Sequence, residues 1–203
     1  MNPDVVIHIV DDEEPVRKSL AFLLTMSDHA VRVHESATHF LAIAPGLVNA
    51  CLVTDLRMPD MSGVELLKKL RETDAMLPTI VITGHADVPM AVEAMKAGAL
   101  DFIEKPFQDE VLLDAIARAI AELGTREKSP HDAAAVRERI ERLTDRERQV
   151  MTGIVAGLPN KTIAYDLDIS PRTVEVHRAN VMAKMQARNL PELVRMVLSS
   201  QAA

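Results

Sequence analysis

The sequence predicts an α/β fold with a doubly wound, five-stranded parallel sheet, followed by an all-α helix-turn-helix domain. Five short apolar runs alternate with five helical patterns over residues 1–123, which is typical of a parallel sheet covered by helices on both faces. After that point only helical spacing remains. The charge also changes, because residues 1–124 hold 10 basic and 20 acidic residues, whereas residues 125–203 hold 13 and 10. This asymmetry indicates that only the second half meets nucleic acid, unless it is simple compositional drift.

The elements of the first half follow from β-rich runs and the breakers between them. Pro15 opens a helix in which Leu20 and Leu24 lie at helical spacing. The run that ends in Asp55 is stopped by Pro59, and Gly63 begins the next helix. Strands are expected at residues 5–10, 30–34, 50–54, 79–83 and 100–103. Helices are expected from Pro15 onward and at residues 36–43, 63–71, 90–97 and 108–123.

The second half contains helix signals. Loop composition after residue 123 predicts a first domain over 1–123, a linker over 124–136 and a second domain over 137–203. Helical composition is nevertheless expected over 131–143. A capping box of Thr144 and Glu147 begins the next helix. A short helix over 160–167, a turn and a helix capped by Ser170 then make a helix-turn-helix. The last helix, from residue 189, serves either dimerisation or the core.

Composition excludes several classes of protein. The 203 residues are 48% hydrophobic and 26% charged, which is ordinary for a globular protein with a packed core. Aromatic residues make up 2% and Trp is absent, which argues against an aromatic cage or a base-stacking platform. Cys51 is expected to be a buried hydrophobe, and one cysteine allows no internal disulfide. With no apolar run near the length of a membrane span and no signal-peptide pattern, we expect a cytoplasmic protein without a membrane partner.

Polar side chains fall at the carboxyl ends of four predicted strands. Asp11 and Asp12 follow the first strand, Asp55 ends the third, Thr83 ends the fourth and Lys105 follows the fifth. Ligands of parallel sheets bind at this edge. Converging carboxylates repel one another unless a cation joins them, and Mg²⁺ suits a site of few carboxylates that also takes phosphate oxygens. Asp55 is therefore a candidate phosphate acceptor, with Lys105 and Thr83 facing the phosphoryl oxygens.

Each of these residues also has a plainer interpretation. Asp11 and Asp12 are able to cap the helix opened by Pro15. Thr83 is also an ordinary β-branched strand residue, and Lys105 is also an ordinary loop lysine. The functional interpretation is favoured because all five residues, Asp11, Asp12, Asp55, Thr83 and Lys105, occur in order at the ends of the expected strands. We call these five residues the ordered set.

The ordered set resembles the receiver domain of two-component response regulators. The resemblance rests on Asp11-Asp12, Asp55 with Arg57-Met58-Pro59 and Gly63, Thr83-Gly84, and Lys105-Pro106. It implies that Asp55 is the phosphoacceptor and that a sensor histidine kinase is the phosphoryl donor. It also implies that Asp11, Asp12, Asp55 and the Arg57 backbone carbonyl hold Mg²⁺. Phe102 matches the aromatic switch that moves together with Thr83.

The helix after Ser170 has one apolar stripe and one face of small side chains. Val174, Val181 and Met185 lie within about 40° of one direction at 100° per residue. The opposite face and its flanks could contact bases in the major groove, and the basic residues around it could contact phosphates. The expected DNA-binding residues are Lys161, Arg172, Thr173, Glu175, Val176, Arg178, Ala179, Asn180 and Lys184.

The second half is similar to the LuxR-type DNA-binding domain. The similarity rests on Leu143-Thr144, Arg146-Glu147, Asn160-Lys161-Thr162-Ile163-Ala164 and Ile169-Ser170-Pro171-Arg172-Thr173-Val174 with His177-Arg178. Together the halves are identified as a member of the NarL/FixJ response regulators, closest to the FixJ branch. That resemblance implies a kinase of the oxygen-sensing FixL type and control of nitrogen-fixation genes, and leaves RNA polymerase open as a further partner. Pro159 and Glu175 depart from the residues usual in LuxR-type domains.

The expected mechanism is activation by phosphorylation. A homodimer would form through Val92, Lys96 and Asp101, with Lys96 pairing with Asp101 across the two-fold axis. Two DNA-binding domains would then match a two-fold operator. The chain is not expected to be an enzyme beyond its own phosphotransfer and slow dephosphorylation. The alternatives are a Mg²⁺-dependent aspartyl phosphatase, which would need an acid or base where Arg57 stands, and a ligand-sensing LuxR regulator, whose first domain would lack the acidic set.

Overall fold

A parallel sheet of five strands organises the first half of the computed structural model, which describes residues 5–73, 77–85, 87–124 and 130–201. The strands are β1 Val6–Val10, β2 Ala30–His34, β3 Ala50–Asp55, β4 Thr79–Thr83 and β5 Asp101–Glu104. Their order is β2-β1-β3-β4-β5, and all four pairings are parallel. The predicted sheet is confirmed, and each predicted strand end lies within one residue of the observed one.

Helices connect the strands in alternation. They are α1 Glu14–Met26, α2 Ala37–Ile43, α3 Gly63–Glu72, α4 Val88–Ala97 and α5 Asp109–Gly124, with a single 3₁₀ turn at Ala44–Gly46. Ser36 caps α2 by accepting a hydrogen bond from the His39 N–H at 3.2 Å. Ser62 and Glu65 form a capping box at the start of α3. These caps satisfy backbone donors that would otherwise be orphaned at the helix N-termini.

Strand β3 is buried on both faces of the sheet, and its residues face alternate sides. Val53 packs with Ile9, Ile82 and Ile116 in one apolar cluster. Leu52, the neighbouring residue, packs with Phe40, Leu66 and other residues in a second cluster. All six residues of β3 are buried, as expected for a central parallel strand. Cys51 is fully buried, and this burial raises the pKa of its thiol to about 12.

The second half consists of helices around one apolar cluster. They are α6 Pro130–Glu141, α7 Asp145–Ala156, α8 Asn160–Asp166, α9 Pro171–Met185 and α10 Leu190–Gln201. The predicted capping box is present, because the Thr144 hydroxyl accepts from Glu147 N–H and the Glu147 carboxylate accepts from Thr144 N–H. Helix α7 ends at Gly157, whose φ of 86° lies in the left-handed region that favours glycine. Leu193 and Val197 of α10 are buried in the cluster, so this helix contributes to the core.

The linker predicted over 124–136 is interrupted by α6. Residues 125–129 lie outside the described residues, and α6 begins at Pro130. Val136 is 6% exposed and belongs to the same cluster as Val150 and Val181. The later part of the predicted linker is therefore a helix that packs with the C-terminal helices. The chain divides into two compact units, residues 1–85 with 97–126 and residues 86–96 with 127–203.

Among the helices of the described ranges, none combines the length and the apolar composition that a membrane crossing requires.

Candidate phosphorylation site and nucleic-acid interface

Asp55 stands at the carboxyl end of β3, where the chain turns sharply toward α3. Its carboxylate Oδ2 accepts a hydrogen bond from the Arg57 N–H at 2.6 Å. Gly63 N–H donates to the Leu56 carbonyl at 2.9 Å and thereby closes the loop. A Cβ on Gly63 would lie 2.5 Å from the Asp55 carbonyl oxygen, so the loop requires glycine at this position. The turn predicted from Pro59 and Gly63 therefore holds Asp55 in place.

Lys105 bridges two of the predicted acidic residues. Its Nζ lies 2.8 Å from Asp55 Oδ1 and 2.9 Å from Asp11 Oδ2. Burial opposes the lysine charge, but the hydrogen bonds and charges of the two carboxylates outweigh it and raise the pKa of Lys105 above its ordinary value. One ammonium between two ionised carboxylates leaves a net negative site. Such a site is suited to a divalent cation accompanied by a phosphoryl group.

Asp11 has two structural roles at this edge. Besides facing Lys105, its Oδ1 accepts a hydrogen bond from the Glu13 N–H at 2.8 Å. The turn that precedes α1 is thus ordered by the same carboxylate that approaches Asp55. Helix α1 itself starts after Glu13 without a side-chain cap. Asp11 therefore does not cap α1 itself, and its carboxylate instead orders the preceding turn and faces Lys105.

The metal-ligand residues are only partly assembled. Asp11 and Asp55 share Lys105 as a neighbour, whereas Asp12 is exposed. Within the described ranges, no group of three or more His, Cys, Asp or Glu side chains has the geometry of a metal site. Mg²⁺ nevertheless needs only one or two carboxylates, because water and substrate phosphate complete its coordination. The donor set of Asp11, Asp55 and a backbone carbonyl therefore fits Mg²⁺.

The Thr83 hydroxyl is directed to its own loop. Its Oγ1 donates to the His85 carbonyl and accepts from the His85 N–H, each at 3.3 Å. Both distances are long for such bonds, so they are weak. Thr83 is 1% exposed at the end of β4, the strand next to β3. A weakly held hydroxyl at this edge is able to change partner.

The residues expected at the dimer interface are mostly buried within the single chain. Val92 is 2% exposed, Asp101 is 5% exposed, and only Lys96 is exposed. Asp101 forms an ion pair with Arg118 of α5 and accepts a hydrogen bond from the Phe102 N–H at 2.9 Å. Asp101 therefore has a cationic partner within its own chain, and its pairing with Lys96 across a dimer axis stays a prediction. The sequence analysis missed Arg118, whose only signal was a lone basic residue on an apolar helix.

Helix α9 presents the two faces that its sequence predicts. Val174, Val181 and Met185 are all fully buried, which confirms the apolar stripe. The opposite face is accessible, and Val176 is 56% exposed there. The other predicted DNA-contacting residues that are exposed are Lys161, Arg172, Glu175, Ala179, Asn180 and Lys184. A row of small side chains allows the helix backbone to come close to base edges.

Lys184 has a structural partner that the sequence analysis missed. Its Nζ lies 2.6 Å from Glu147 Oε2, and Glu147 is 4% exposed. The bond to Lys184, followed by the N–H of Thr144, lowers the pKa of Glu147 to about 2. Lys184 therefore fixes α9 to the start of α7, and its expected contact with a DNA phosphate stays a prediction. The capping box was the only sequence signal for Glu147, and it did not predict the lysine.

Two further DNA-contact candidates have neighbours within the helix-turn-helix. Arg178 Nη1 lies 3.4 Å from the Asn160 side-chain oxygen and so joins α9 to the start of α8. The Thr173 hydroxyl lies 2.8 Å from the Ser170 hydroxyl in the first turn of α9. Arg178 is partly exposed, so its remaining donors are available to a ligand.

Comparison with known proteins identifies two families along the chain. Residues 7–117 match the response regulator receiver domain, and residues 141–197 match the bacterial regulatory proteins of the luxR family. The chain belongs to the response regulators that join a receiver domain to a LuxR-type DNA-binding domain. These matches confirm the fold class and the two-domain function predicted from the sequence.

Within that class the chain is FixJ-like. The transcriptional regulatory protein FixJ of Rhizobium meliloti (strain 1021) is 66% identical over 196 residues, which cover 97% of this chain and 96% of the relative. FixJ of Azorhizobium caulinodans is 52% identical over 98% of this chain and 94% of the relative. The crystal structure of full-length FixJ from B. japonicum is 47% identical, covers 98% of both chains and has a TM-score of 0.58.

Proposed function

We propose that this protein is a transcription activator switched by phosphoryl transfer to Asp55. The observation that carries the proposal is the contact of Lys105 with both Asp55 and Asp11 at the carboxyl edge of the sheet. The same chain also presents an exposed helix face suited to the major groove. An ionised nucleophile, a fixed cation and a DNA-binding helix are the parts that such a switch requires.

The phosphoryl donor is a sensor histidine kinase. An Asp55 oxygen attacks phosphorus, the P–N bond to the kinase histidine breaks, and its electron pair stays on the imidazole nitrogen. Asp11, Asp12, Asp55 and the Arg57 carbonyl would hold Mg²⁺, which would supply positive charge beside the transferred group. Lys105 shifts from the Asp55 carboxylate to a phosphoryl oxygen. The chain catalyses this transfer and its own slow dephosphorylation, and acts on no other substrate.

Phosphorylation is transmitted through Thr83 and Phe102. The new group adds about −1.5 to −2 charges and three acceptor oxygens at Asp55. The Thr83 hydroxyl leaves its weak bonds to His85 and donates to one of these oxygens. Phe102, 8% exposed in β5, moves into the space that Thr83 vacates. The exposed face of α4 and the strand β5 then change.

The changed surface forms a homodimer. Lys96 is exposed on α4, and Asp101 lies at the start of β5 with its carboxylate on Arg118. In the dimer Lys96 of one protomer joins that pair in its partner, so Asp101 is shared by two cations. Val92 packs beside them once the surface has moved. Lys96→Glu is expected to keep phosphorylation and weaken the dimer, since it would place a carboxylate against Asp101.

The output is promoter binding. A two-fold dimer presents two copies of α9 to a two-fold operator, with Arg172 and Val176 toward bases and Lys161 toward phosphate. By its likeness to FixJ, the chain activates nitrogen-fixation genes in the cytoplasm, responds to a FixL-like kinase and contacts RNA polymerase at the promoter. The phosphatase alternative lacks support, because Arg57 stands where a second acid or base would be needed.

One experiment tests the central proposal. The size of the full chain and its binding to promoter DNA are measured with and without beryllofluoride and Mg²⁺, a stable mimic of the aspartyl phosphate. The parent is expected to dimerise and to bind more tightly on treatment. Asp55→Asn should neither dimerise nor bind DNA more tightly on treatment. Asp114→Asn, which removes an exposed carboxylate on α5, should respond like the parent. Dimerisation of Asp55→Asn on treatment would refute the proposal.

A further inference from the structure

His177 of α9 has an unexplained polar atom. Its Nδ1 is buried and, within the part of the chain that the structure describes, lacks a hydrogen-bond partner. Buried polar atoms are nearly always paired, so an unpaired one costs stability and calls for a functional reason. The residue as a whole is partly exposed, so the accessible surface of the ring lies away from Nδ1.

The missing partner decides which ring nitrogen carries the proton. A hydrogen on Nδ1 would be a buried donor with no acceptor. The tautomer with its hydrogen on Nε2 avoids this penalty, because only a lone pair is left unpaired. His177 therefore has one N–H donor, and that donor is on the other side of the ring from the buried atom.

The position of His177 on α9 shows where this donor points. At 100° per residue, His177 lies about 60° from Val174, at the border of the buried stripe and well away from the base-facing row around Val176. Thr173 precedes it by four residues and Asn180 follows it by three, so the three polar side chains share one flank of the helix. The flank of a recognition helix faces the DNA backbone rather than the base edges.

We propose that His177 donates a hydrogen bond from Nε2 to a DNA phosphate and sets the depth and register of α9 in the groove. The inference rests on the proposed DNA-binding function of α9. The buried edge of the ring fixes its orientation, so the donor is preorganised before DNA arrives. The contact is neutral and independent of base sequence, which distinguishes it from that of a surface lysine or arginine.

Two amide substitutions separate the two ring nitrogens. His177→Gln places an amide N–H near the position of Nε2 and leaves no polar atom in the buried position. His177→Asn places its amide near the position of Nδ1 and has no donor at the outer position. The parent chain, treated with beryllofluoride and Mg²⁺, first selects a duplex from a random-sequence pool. Affinity of each variant for that duplex is then measured over a range of salt concentrations, with thermal unfolding as a check on folding.

The expected result is that His177→Asn binds about tenfold more weakly, because a hydrogen bond to a charged acceptor is lost. His177→Gln should bind within about threefold of the parent, because it keeps the donor. The dependence of affinity on salt should be the same for the parent and the Gln variant, since a neutral donor releases no counterion. Phosphate ethylation should interfere at one more phosphate per half-site with the parent and with Gln than with Asn.

The contrary results are equally distinct. Equal binding by all three proteins, or equal losses in Gln and Asn, would show that the ring serves only packing and would overturn the inference. A shallower salt dependence for Gln would show that the imidazole acts as a cation, which also overturns it. If the parent selects no duplex at all, the proposed DNA-binding function fails instead.

Discussion

Substitution of Gly63 by alanine tests how the loop after β3 holds Asp55. The added Cβ would lie 2.5 Å from the Asp55 carbonyl oxygen and 3.2 Å from the Leu56 Cα. Both neighbours are backbone atoms, so the strand end or the start of α3 must shift. Overpacking of this kind costs roughly 1–3 kcal/mol, and the better helix propensity of alanine returns at most about 1 kcal/mol. We expect a net destabilisation of about 1–2 kcal/mol.

Urea unfolding of the full chain measures the change in stability. With a slope of about 2 kcal/mol per molar urea, the midpoint of the receiver transition should fall by roughly 0.5–1 M. The rate of phosphorylation by acetyl phosphate should fall by about tenfold or more, because the displaced carbonyl belongs to the nucleophile itself. Gly46→Ala is the matched control, since its added Cβ meets no atom within 4 Å. If Gly63→Ala were as stable and as reactive as Gly46→Ala, the loop would not position Asp55 in this way.

Three further predictions follow from side-chain contacts. Lys105→Met should abolish most phosphorylation by acetyl phosphate. The pKa of Lys105 in the folded protein is raised above 10.5, so the stabilising contribution of its charge is fully present below pH 10.5 and is lost at higher pH. Unfolding measured at rising pH should therefore show this loss of stability in the parent but not in Lys105→Met. The pKa of Glu147 is lowered to about 2, so its ion pair with Lys184 stabilises the folded protein above pH 4.5 and is lost as the pH falls toward 2. Glu147→Gln should remove this dependence of the urea midpoint on acid pH. An unchanged dependence in the variant would contradict the prediction. Asp60→Ala should lower the urea midpoint, because Asp60 accepts from the N–H and hydroxyl of Thr38, each at 2.8 Å, and so ties the loop to α2; Thr38→Val, which keeps the N–H, should lower it less.

Local signals in the sequence were sufficient for much of the fold. The capping box of Thr144 and Glu147 lies within four consecutive residues, and the buried stripe of α9 follows from one helical period, so both could be predicted. Asp55 could be placed because a strand and its breaker are adjacent in the chain. The contacts that could not be predicted join distant segments of the chain. Periodicity carries no information about which cation an acidic side chain meets.

The Asp101 and Lys184 pairs show this limit. The partner of Asp101 is Arg118, 17 residues later on another element, and the partner of Glu147 is Lys184, 37 residues later. Both lysine and arginine also occur on solvated helix faces, so the sequence favoured the more common exposed role. The helix in the later part of the predicted linker has few apolar anchors, Val136 and Ile140, so its composition did not show that it packs with the C-terminal helices.

The Lys105 bridge also acts as a cross-link of the sheet. In the order β2-β1-β3-β4-β5, two strands separate β1 from β5, yet Lys105 after β5 holds Asp11 after β1. Transfer of the ammonium to a phosphoryl group would loosen this tie, so the resting rigidity and the ease of activation are thermodynamically linked. Any change that strengthens the tie should make the unphosphorylated protein more stable and harder to switch on. Screening for heat resistance alone would therefore select proteins with weaker signalling.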